Sequence, residues 1–432
     1  MPQCDFKHIA ISCTIVFSCK RLFVQLQPLQ GLRENWRQFT LLVLVNALVG
    51  GMLGMERSVF ASFAQQSFGM TAGTAMLSFI AAFGLSKAVA NYYAGKLANR
   101  FGRKRLLLFG WIIAIPVPLI LIYANDWNQV VFANLLLGLS QGFAWSSTVI
   151  MKIDIVGEKN CGFAMGLNEF AGYFSIGIMA WVTSIIAEDY GVIPYPFLIG
   201  LAIAVLGLLL TLIWVKDTTG FMQQEATEFP RENLKGVFMQ TTFKDHTLSS
   251  VTQAGLVNNL NDGMIWGLLP LLLIANGYSQ MDIGQIVAIY PAVWGIAQLF
   301  TGRMADVCPP KWLLFVGMLL QGLAIFVMAA FVSFPVLIIS SVLLGLGTAL
   351  VYPTFLTVIA FATTPTQRSE SVGVFRMWRD LGYAIGAVMS GVIAQHFGVV
   401  AAIEVVGLIT LASAVIIAIR MPFVQKGNCK IL

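Results

Sequence analysis

A small number of charged side chains lie inside long apolar runs of this sequence, and they are the residues that could do chemistry. A charge that faces an apolar medium costs on the order of a few kcal/mol, so we expect these side chains to face one another or a shared interior. A carboxyl group in such an interior can bind a proton from one side and release it to the other. Glu169 and Asp262 are the first candidates for proton carriers. The full set predicted to bind solute or carry protons is Glu56, Arg57, Lys87, Glu169, Asp262, Trp266, Arg376, Arg379 and Asp380.

Three of these residues lie close together near the end of the sequence. Arg376 and Asp380 are four residues apart, so on a helix they share a face and can form an ion pair that leaves Arg379 as a spare cation. Such a group either fixes its helix against a neighbour or contacts substrate, and the spacing favours neither. Lys87 has no acid in its own helical turn, so it would pair with Asp380 or Glu169, or attract an anionic solute.

Two other groups also have informative spacing. Asn258, Asp262 and Trp266 follow one another at intervals of four and form a polar and aromatic stripe on a helix. The stripe either packs helices together or contacts solute, and its acid favours the second. Glu56 and Arg57 are adjacent, so their side chains point about 100° apart and pair poorly with each other. They form a gate or site, or they lie near an interface where neighbours neutralise them.

The composition excludes several functional classes. Charged residues make up only 11% of the 432 residues, whereas a soluble protein carries about 25%. The net charge of +6 is scattered over short loops, which favours a membrane protein over a nucleic-acid-binding one. The three histidines are far apart, the six cysteines lack metal-ligand spacing, and no phosphate-binding loop motif occurs. We therefore expect no enzyme activity, no metal and no cofactor.

The elements that position these residues are long apolar helices. From Phe39 onward, apolar runs recur at intervals of about 20–30 residues, the length that a tilted membrane helix needs. We predict an all-α membrane protein with twelve transmembrane helices. They are placed near 38–63, 72–98, 104–124, 128–152, 162–187, 194–216, 248–275, 280–302, 310–332, 335–361, 368–396 and 399–420.

Lysine and arginine predict the orientation of these spans. Two of the loops on one side, 63–71 and 188–194, contain neither residue, so the basic side with both termini is expected in the cytoplasm. The basic loop residues are Arg100, Arg103, Lys104, Arg105, Lys152, Lys159, Lys216, Arg231, Lys235, Lys244, Arg303, Lys311 and Arg368. The expected parts are a cytoplasmic tail 1–36, a first half 37–216, a cytoplasmic linker 217–246, a second half 247–421 and a cytoplasmic tail 422–432.

An internal repeat supports two six-helix halves. AGKLANRFGRK from Ala94 aligns with TGRMADVCPPK 207 residues later, and LLLGLSQG from Leu135 aligns with VLLGLGTA at the same offset. GFAMGLNE from Gly162 aligns with GVFRMWRD at an offset of 211, which matches Glu169 with Asp380. Duplicated halves of this kind are a transporter architecture with its site at their interface.

The stretch GKLANRFGRKR, in which Gly95 and Gly102 are expected to flank a tight turn, lies between the second and third apolar runs. It resembles the loop signature of the major facilitator superfamily: glycine, three residues, aspartate, a basic residue, glycine and two basic residues. The matching residues are Gly95, Arg100, Gly102, Arg103 and Lys104, and Asn99 replaces the aspartate. The resemblance implies that spans one, two, four and five and spans seven, eight, ten and eleven line a central cavity.

In the family that this loop resembles, the loop latches the two halves together on the cytoplasmic face. Its aspartate is thought to meet the positive end of a helix from the other half. Asn99 can accept a hydrogen bond but carries no charge, so we expect a weaker latch here. Asp306 occupies the corresponding position in the second half.

The resemblance implies a secondary active transporter that moves a small organic solute by alternating access, and the intramembrane acids favour coupling to protons. Lys87, Arg376 and Arg379 favour an anionic or zwitterionic metabolite, unless they belong to an ion-pair network. One alternative is a drug or solute efflux antiporter, which the lack of a proline in the fifth span disfavours. Another is a facilitator-shaped sensor or assembly protein that does not transport. We expect a monomer in the cell (inner or plasma) membrane that binds solute, protons and lipid but no nucleic acid.

Overall fold

The computed structural model describes residues 29–70, 72–158, 160–228 and 233–423, which form helices and no strand. A π-helical turn, Gln240–Lys244, precedes the helix that begins at His246. The helices of these ranges are α1 (Trp36–Phe68), α2 (Ala72–Phe101), α3 (Arg103–Ala114), α4 (Pro116–Tyr123), α5 (Trp127–Val156), α6 (Cys161–Tyr190), α7 (Tyr195–Ile213), α8 (Thr219–Glu228), α9 (Val237–Met239), α10 (His246–Ala275), α11 (Gln280–Val307), α12 (Pro310–Ala330), α13 (Phe334–Ala362), α14 (Pro365–Phe397) and α15 (Val399–Arg420).

Twelve spans are formed by α1, α2, α3 with α4, α5, α6, α7 and α10 to α15, as the sequence predicts. In the described part of the chain, nine spans are long and apolar enough to cross a membrane by length and hydropathy alone. The three that are not among them are α2, α10 and α14, the helices that carry Lys87, Asp262 and Asp380. Large apolar side chains such as Phe300 and Ile213 face outward, which suits lipid as the surrounding solvent.

The two halves, α1 to α7 and α10 to α15, meet through matching pairs of helices. Across the interface, α2 packs on α14 and α6 packs on α11. The internal repeat equates α2 with α11 and α6 with α14, so the two contacts are related by the pseudo-twofold axis that the repeat predicts. The expected two-repeat layout is confirmed.

Each crossing of the halves is made by glycines. A Cβ atom on Gly95 of α2 would lie 2.4 Å from the Ser369 carbonyl oxygen of α14, and one on Gly162 of α6 would lie 2.5 Å from the Gly302 carbonyl oxygen of α11. Only glycine permits helix backbones to approach this closely. Both crossings lie at the end of the bundle that carries the Gly102 turn, which we call the basic end.

Two sequence predictions at the basic end are wrong. Gly95 does not flank the turn but lies within α2, and Gly102 alone makes the turn to α3, with a φ of +85°. Lys152 is not a loop residue: α5 continues to Val156, and the Lys152 side chain is completely buried. The error arose because lysine and aspartate end the apolar run, whereas the helix continues among polar partners that bury them.

Candidate functional site

A cavity of about 470 Å³ lies between the two halves. Helices α1, α2, α5 and α6 line it from the first half and α10, α11, α13 and α14 from the second, so both halves contribute equally. These are the eight spans that the family resemblance implied. Five of the predicted site residues are among the described residues that line the cavity: Lys87, Asp262, Trp266, Arg379 and Asp380.

An aromatic layer closes the cavity toward the basic end. The Tyr173 ring lies 4.1 Å from the Trp294 ring, measured between centroids, and Trp294 lies 4.9 Å from Tyr352. Tyr173 comes from the first half and the other two from the second, so the layer spans the interface. Toward the opposite end the cavity wall is more open, because Gly177 has no heavy atom within 4 Å of an added Cβ and Trp266 is 37% exposed.

Asp380 is the centre of a polar cluster on one wall of the cavity. Its carboxylate accepts hydrogen bonds from Arg379 Nε at 2.8 Å and from Asn91 Nδ2 at 2.6 Å. Lys87 Nζ lies 3.8 Å from the second carboxylate oxygen, so two cations flank one acid. Ser146 donates to Asn91 Oδ1 and fixes that amide. The structure therefore brings Lys87 to Asp380, one of the two partners that the sequence allowed.

The ion pair within α14 differs from the one that the spacing allowed. Asp380 pairs with its neighbour Arg379 rather than with Arg376 four residues before it. Arg376 is completely buried outside the cavity lining, and none of its three guanidinium nitrogens has a hydrogen-bond partner among the described residues. The spare cation is therefore Arg376. The shared helix face of Arg376 and Asp380 does not determine the ion pair, because the Arg379 side chain can bend toward Asp380.

Asp262 lines the cavity from α10, which packs against α14 in the same half. The buried Tyr290 hydroxyl of α11 donates a hydrogen bond to its Oδ1 atom. Nearby, Tyr352 donates to Asn259 Oδ1 at 3.0 Å, which ties α13 to α10. Trp266 lies one turn farther along α10 and also faces the cavity, so the predicted polar and aromatic stripe is on the lining face.

Glu169 lies behind the cavity wall. It is completely buried and accepts hydrogen bonds from Trp145 Nε1 at 3.2 Å and from Asn168 Nδ2 at 2.7 Å. The oxygen of the same Asn168 amide accepts a hydrogen bond from the Lys152 ammonium group. The Trp145 ring lines the cavity and separates Glu169 from it.

Glu56 is not among the described residues that line the cavity. Glu56 is completely buried in α1, and neither of its carboxylate oxygens has a hydrogen-bond partner among the described residues. The side chain of Arg57 lies outside the described part of the structure. The described residues contain no group of three or more His, Cys, Asp or Glu that could hold a metal ion.

The sequence profile of the Major Facilitator Superfamily matches residues 41–244 and 252–428. The chain belongs to this superfamily. It is 24% identical over 392 residues to the multidrug resistance protein MdtG of Enterobacter lignolyticus (strain SCF1), covering 88% of this chain and 91% of that protein. MdtG of Serratia proteamaculans (strain 568) is 24% identical over 336 residues, 77% of this chain and 80% of that one.

Solved structures of the superfamily share the fold of this facilitator. The human organic anion transporter MFSD10 (TETRAN) superposes with a TM-score of 0.75 at 16% identity, covering 89% of this chain and 99% of that one. FucP in the outward conformation gives a TM-score of 0.72 at 14% identity, covering 89% and 98%. The present chain is therefore a multi-pass membrane transporter of the major facilitator kind.

The signature loop of this facilitator makes two different contacts at the basic end. Asp306, in the second-half copy, accepts hydrogen bonds from the backbone N–H groups of Gly162 at 2.7 Å and Phe163 at 2.9 Å. These groups belong to the first turn of α6, where the helix dipole favours a negative charge. Asn99, in the first-half copy, instead donates to the Thr366 carbonyl and accepts from the Ser369 hydroxyl at 3.3 Å.

The basic residues of the signature differ in their environment. Arg103 is buried and donates to Asp154 Oδ2 at 3.0 Å, which also accepts from Thr218 at 2.9 Å. Lys104 Nζ donates to the Leu212 carbonyl at 3.0 Å, and Arg100 is exposed. Arg103 is thus an internal ion-pair residue, while Arg100 and Lys104 place positive charge at the surface of the basic end.

The sequence analysis of this facilitator missed several lining residues. They are the aromatic residues Trp145, Tyr173, Trp294, Tyr352 and Tyr383, and Asn91, which donates to Asp380, was missed as well. Hydropathy cannot separate a tryptophan that faces lipid from one that faces a cavity. A signal was available for Tyr173 and Tyr383, which lie about one turn from Glu169 and Asp380 on the same helices, but not for Trp294 and Tyr352, whose helices carry no buried charge among their described residues.

Proposed function

We propose that this chain is a secondary active transporter that moves an amphipathic organic anion, coupled to protons, by alternating access through the central cavity. The observation that supports it most directly is the lining of the cavity. Aromatic rings from both halves surround a polar wall on which Lys87 and Arg379 share one acid. A cavity of about 470 Å³ fits a small organic molecule of this kind.

The polar wall favours a negatively charged solute group. Lys87 and Arg379 carry two positive charges against the single carboxylate of Asp380, and burial makes an excess charge costly. Lys87 also lies 5.4 Å from the centroid of the Trp145 ring, and Arg379 lies 5.5 Å from that of Tyr352. A carboxylate or sulfonate beside these two cations would balance the charge, with an aromatic body against the rings.

Asp262 is the proposed proton carrier. It lines the cavity, whereas Glu169 and Glu56 do not, and the charge of Asp380 is already matched by cations. Tyr290 donates to Asp262, and this contact crosses between two helices of the second half. Protonation of Asp262 would therefore change how α10 and α11 are held together. A zwitterionic solute would direct its ammonium group toward this acid.

The closed glycine crossings at the basic end and the exposed wall at the opposite end correspond to one access state. With the basic end in the cytoplasm, as the lysine and arginine pattern predicts, the cavity faces outward. Rocking of the halves would open the basic end and close the other. We place the protein in the inner or plasma membrane with both termini in the cytoplasm.

A second candidate is multidrug efflux. It is favoured by the name of the relatives, multidrug resistance protein MdtG, which cover most of this chain. The aromatic lining and Asp262 would also suit a lipophilic cation. The excess of cations around Asp380 disfavours such a solute, because it would place like charges together.

Flux measurements in proteoliposomes distinguish the two candidates. We expect saturable, pH-gradient-driven uptake of naphthalene-2-sulfonate and little saturable uptake of its neutral analogue, naphthalene-2-sulfonamide. Lys87→Gln should reduce uptake of the sulfonate. Transport of tetraphenylphosphonium, with none of the sulfonate, would support drug efflux and contradict the proposal. Absence of any pH-gradient effect would remove proton coupling.

A further inference from the structure

Among the described residues of the second half, Arg376 is the buried charge with the fewest hydrogen-bond partners. It is completely buried, and Nε and both terminal nitrogens lack hydrogen-bond partners among the described residues. A buried guanidinium without partners is costly, because hydration is lost and nothing replaces it. Such an arrangement is stable enough to persist only if the rest of the structure enforces it. It also leaves five N–H donors ready for an anion.

A second buried basic residue lies on α5 of the first half, which is in contact with α14. Lys152 of α5 is completely buried and donates to the Asn168 oxygen. Asn168 also donates to Glu169 at 2.7 Å, so this amide links Lys152 to the Glu169 carboxylate, and α5 is in contact with α14, the helix that carries Arg376. Because Asp380 is already paired with Arg379 and Lys87, Glu169 is the acid that Lys152 and Arg376 share. With Lys152 protonated, this group carries two positive charges and one negative charge.

The group lies on the basic-end side of the aromatic layer. On α14, Arg376 is one turn closer to the basic end than Asp380, and on α6, Glu169 is one turn closer than Tyr173. Lys152 is two turns closer than Trp145 on α5. Neither Lys152 nor Arg376 lines the cavity. The layer of Tyr173, Trp294 and Tyr352 thus separates two positively charged groups that follow one another along the bundle axis.

We infer that Lys152 and Arg376 form a second anion-binding site, which becomes accessible when the basic end opens. The site rests on the proposed function, since the ligand is the carboxylate, sulfonate or phosphate group of the transported solute. Lys87 and Arg379 bind this group while the cavity faces the opposite end. When the aromatic layer parts, the group moves to the Arg376 guanidinium, which can hold two of its oxygens, and to the Lys152 ammonium. Glu169 limits the excess charge while the site is empty.

The proposal predicts that Lys152 and Arg376 bind solute that enters from the basic end, whereas Lys87 binds solute that enters from the opposite end. Vesicles of opposite orientation can test this difference. Transport of naphthalene-2-sulfonate is measured in sealed right-side-out and inside-out vesicles, and protease access to α8 reports whether the basic end faces the medium. Lys152→Gln and Arg376→Gln should raise the KM about tenfold or more for solute added at the basic end, as expected for loss of one charge-assisted contact. The KM at the opposite end should change less than about twofold.

Lys87→Gln is the matched control, because it makes the same chemical change above the aromatic layer. It should raise the KM at the opposite end more than at the basic end. Arg376→Lys, which keeps the charge, should recover part of the loss and guards against a variant that fails to fold. Equal KM changes at both ends, or a lower melting temperature with unchanged KM, would overturn the second site and leave the first intact. Failure of the unaltered protein to move the sulfonate would overturn the proposed substrate class and the second site together.

Discussion

Gly95 of α2 lies against Gly373 of α14, and a Cβ atom on Gly95 would come within 2.7 Å of the Gly373 Cα atom. The repeat-related pair, Gly302 and Gly162, makes the same kind of approach between α11 and α6. Each pair joins the two halves at the basic end. Because backbone meets backbone, neither contact can relax by moving a flexible side chain. The closed basic end therefore depends on the absence of side chains at these positions.

Gly95→Val should prevent the basic end from closing. The added side chain would meet the Ser369 carbonyl oxygen and the Gly373 backbone, so the halves must separate there. Cys161, which is buried at the start of α6, is a native reporter in a variant whose other cysteines are serine. We expect maleimide to label Cys161 at least about tenfold faster in G95V, because labelling follows the population of the open form. Gly391→Val is the control, since nothing lies within 4 Å of its added Cβ; equal labelling of both variants would contradict the mechanism.

The linker helix α8 provides a second test of the basic end. Arg368 of α14 donates to both carboxylate oxygens of Glu225, at 2.9 and 2.7 Å, and both side chains are buried. Gln30 also donates to Glu225 and to the Asp154 carbonyl, so the linker joins both halves. Removing one partner of a buried ion pair costs about 3–5 kcal/mol.

Glu225→Gln should therefore lower the melting temperature and expose Cys161 to labelling. Glu228→Gln is the matched control on the same helix, because Glu228 is exposed and its contact with Gln224 is at the surface. We expect the melting temperature to fall clearly in E225Q and to change very little in E228Q. If the two variants behave alike, the linker does not hold the halves together.

The number and order of the helices could be predicted from the sequence because a membrane span is a local property. A run of about twenty apolar residues, or a basic loop, can be recognised without reference to the rest of the chain. Lys152 shows where this fails, because its burial depends on Asn168 of another helix. Hydropathy therefore places Lys152 in a loop, although this lysine lies in the protein interior.

The sequence predicts which charged residues line the cavity better than it predicts which of them form ion pairs. Lys87, Asp262 and Asp380 stand out as charges in apolar helices, and all three line the cavity. The partner of Asp380 depends on how α14 is rotated and on Asn91, which comes from the other half. The aromatic layer could not be predicted either, since rings that face lipid and rings that face a cavity have the same hydropathy.

Asp380→Asn should destabilise the fold through the cations that it leaves behind. The buried Arg379 and the partly buried Lys87 would both lose the carboxylate that they share, a loss of about 3–5 kcal/mol. The double variant K87Q/D380N should recover part of this loss, because it removes one of the unmatched charges. Melting temperatures in detergent measure both effects. Strict additivity of the two single changes would show that Lys87 and Asp380 do not interact.

Asp217, in the loop between α7 and α8, predicts a pH dependence of the basic end. Partial burial would raise the pKa of its carboxyl group, but hydrogen bonds from Thr219 and the Lys104 N–H outweigh this, and the pKa lies below its usual range. A lowered pKa in the folded state means that Asp217 contributes stability above its unfolded pKa. That contribution is lost as the pH falls through the folded value. The melting temperature of Asp217→Asn should thus approach that of the unaltered protein below about pH 4, and a constant difference would contradict this role.

Asp262→Asn tests the proposed proton carrier while keeping the shape of the side chain. Tyr290 can still donate to the amide oxygen, so the variant should fold and retain its melting temperature to within a few degrees. Uphill uptake of naphthalene-2-sulfonate driven by a pH gradient should fall at least about a hundredfold, because an amide cannot bind and release the proton. Exchange of labelled for unlabelled sulfonate across the membrane needs no net proton movement and should continue. Loss of exchange together with uptake would mean that Asp262 binds solute or holds the helices, whereas unchanged uptake would remove it from the coupling mechanism.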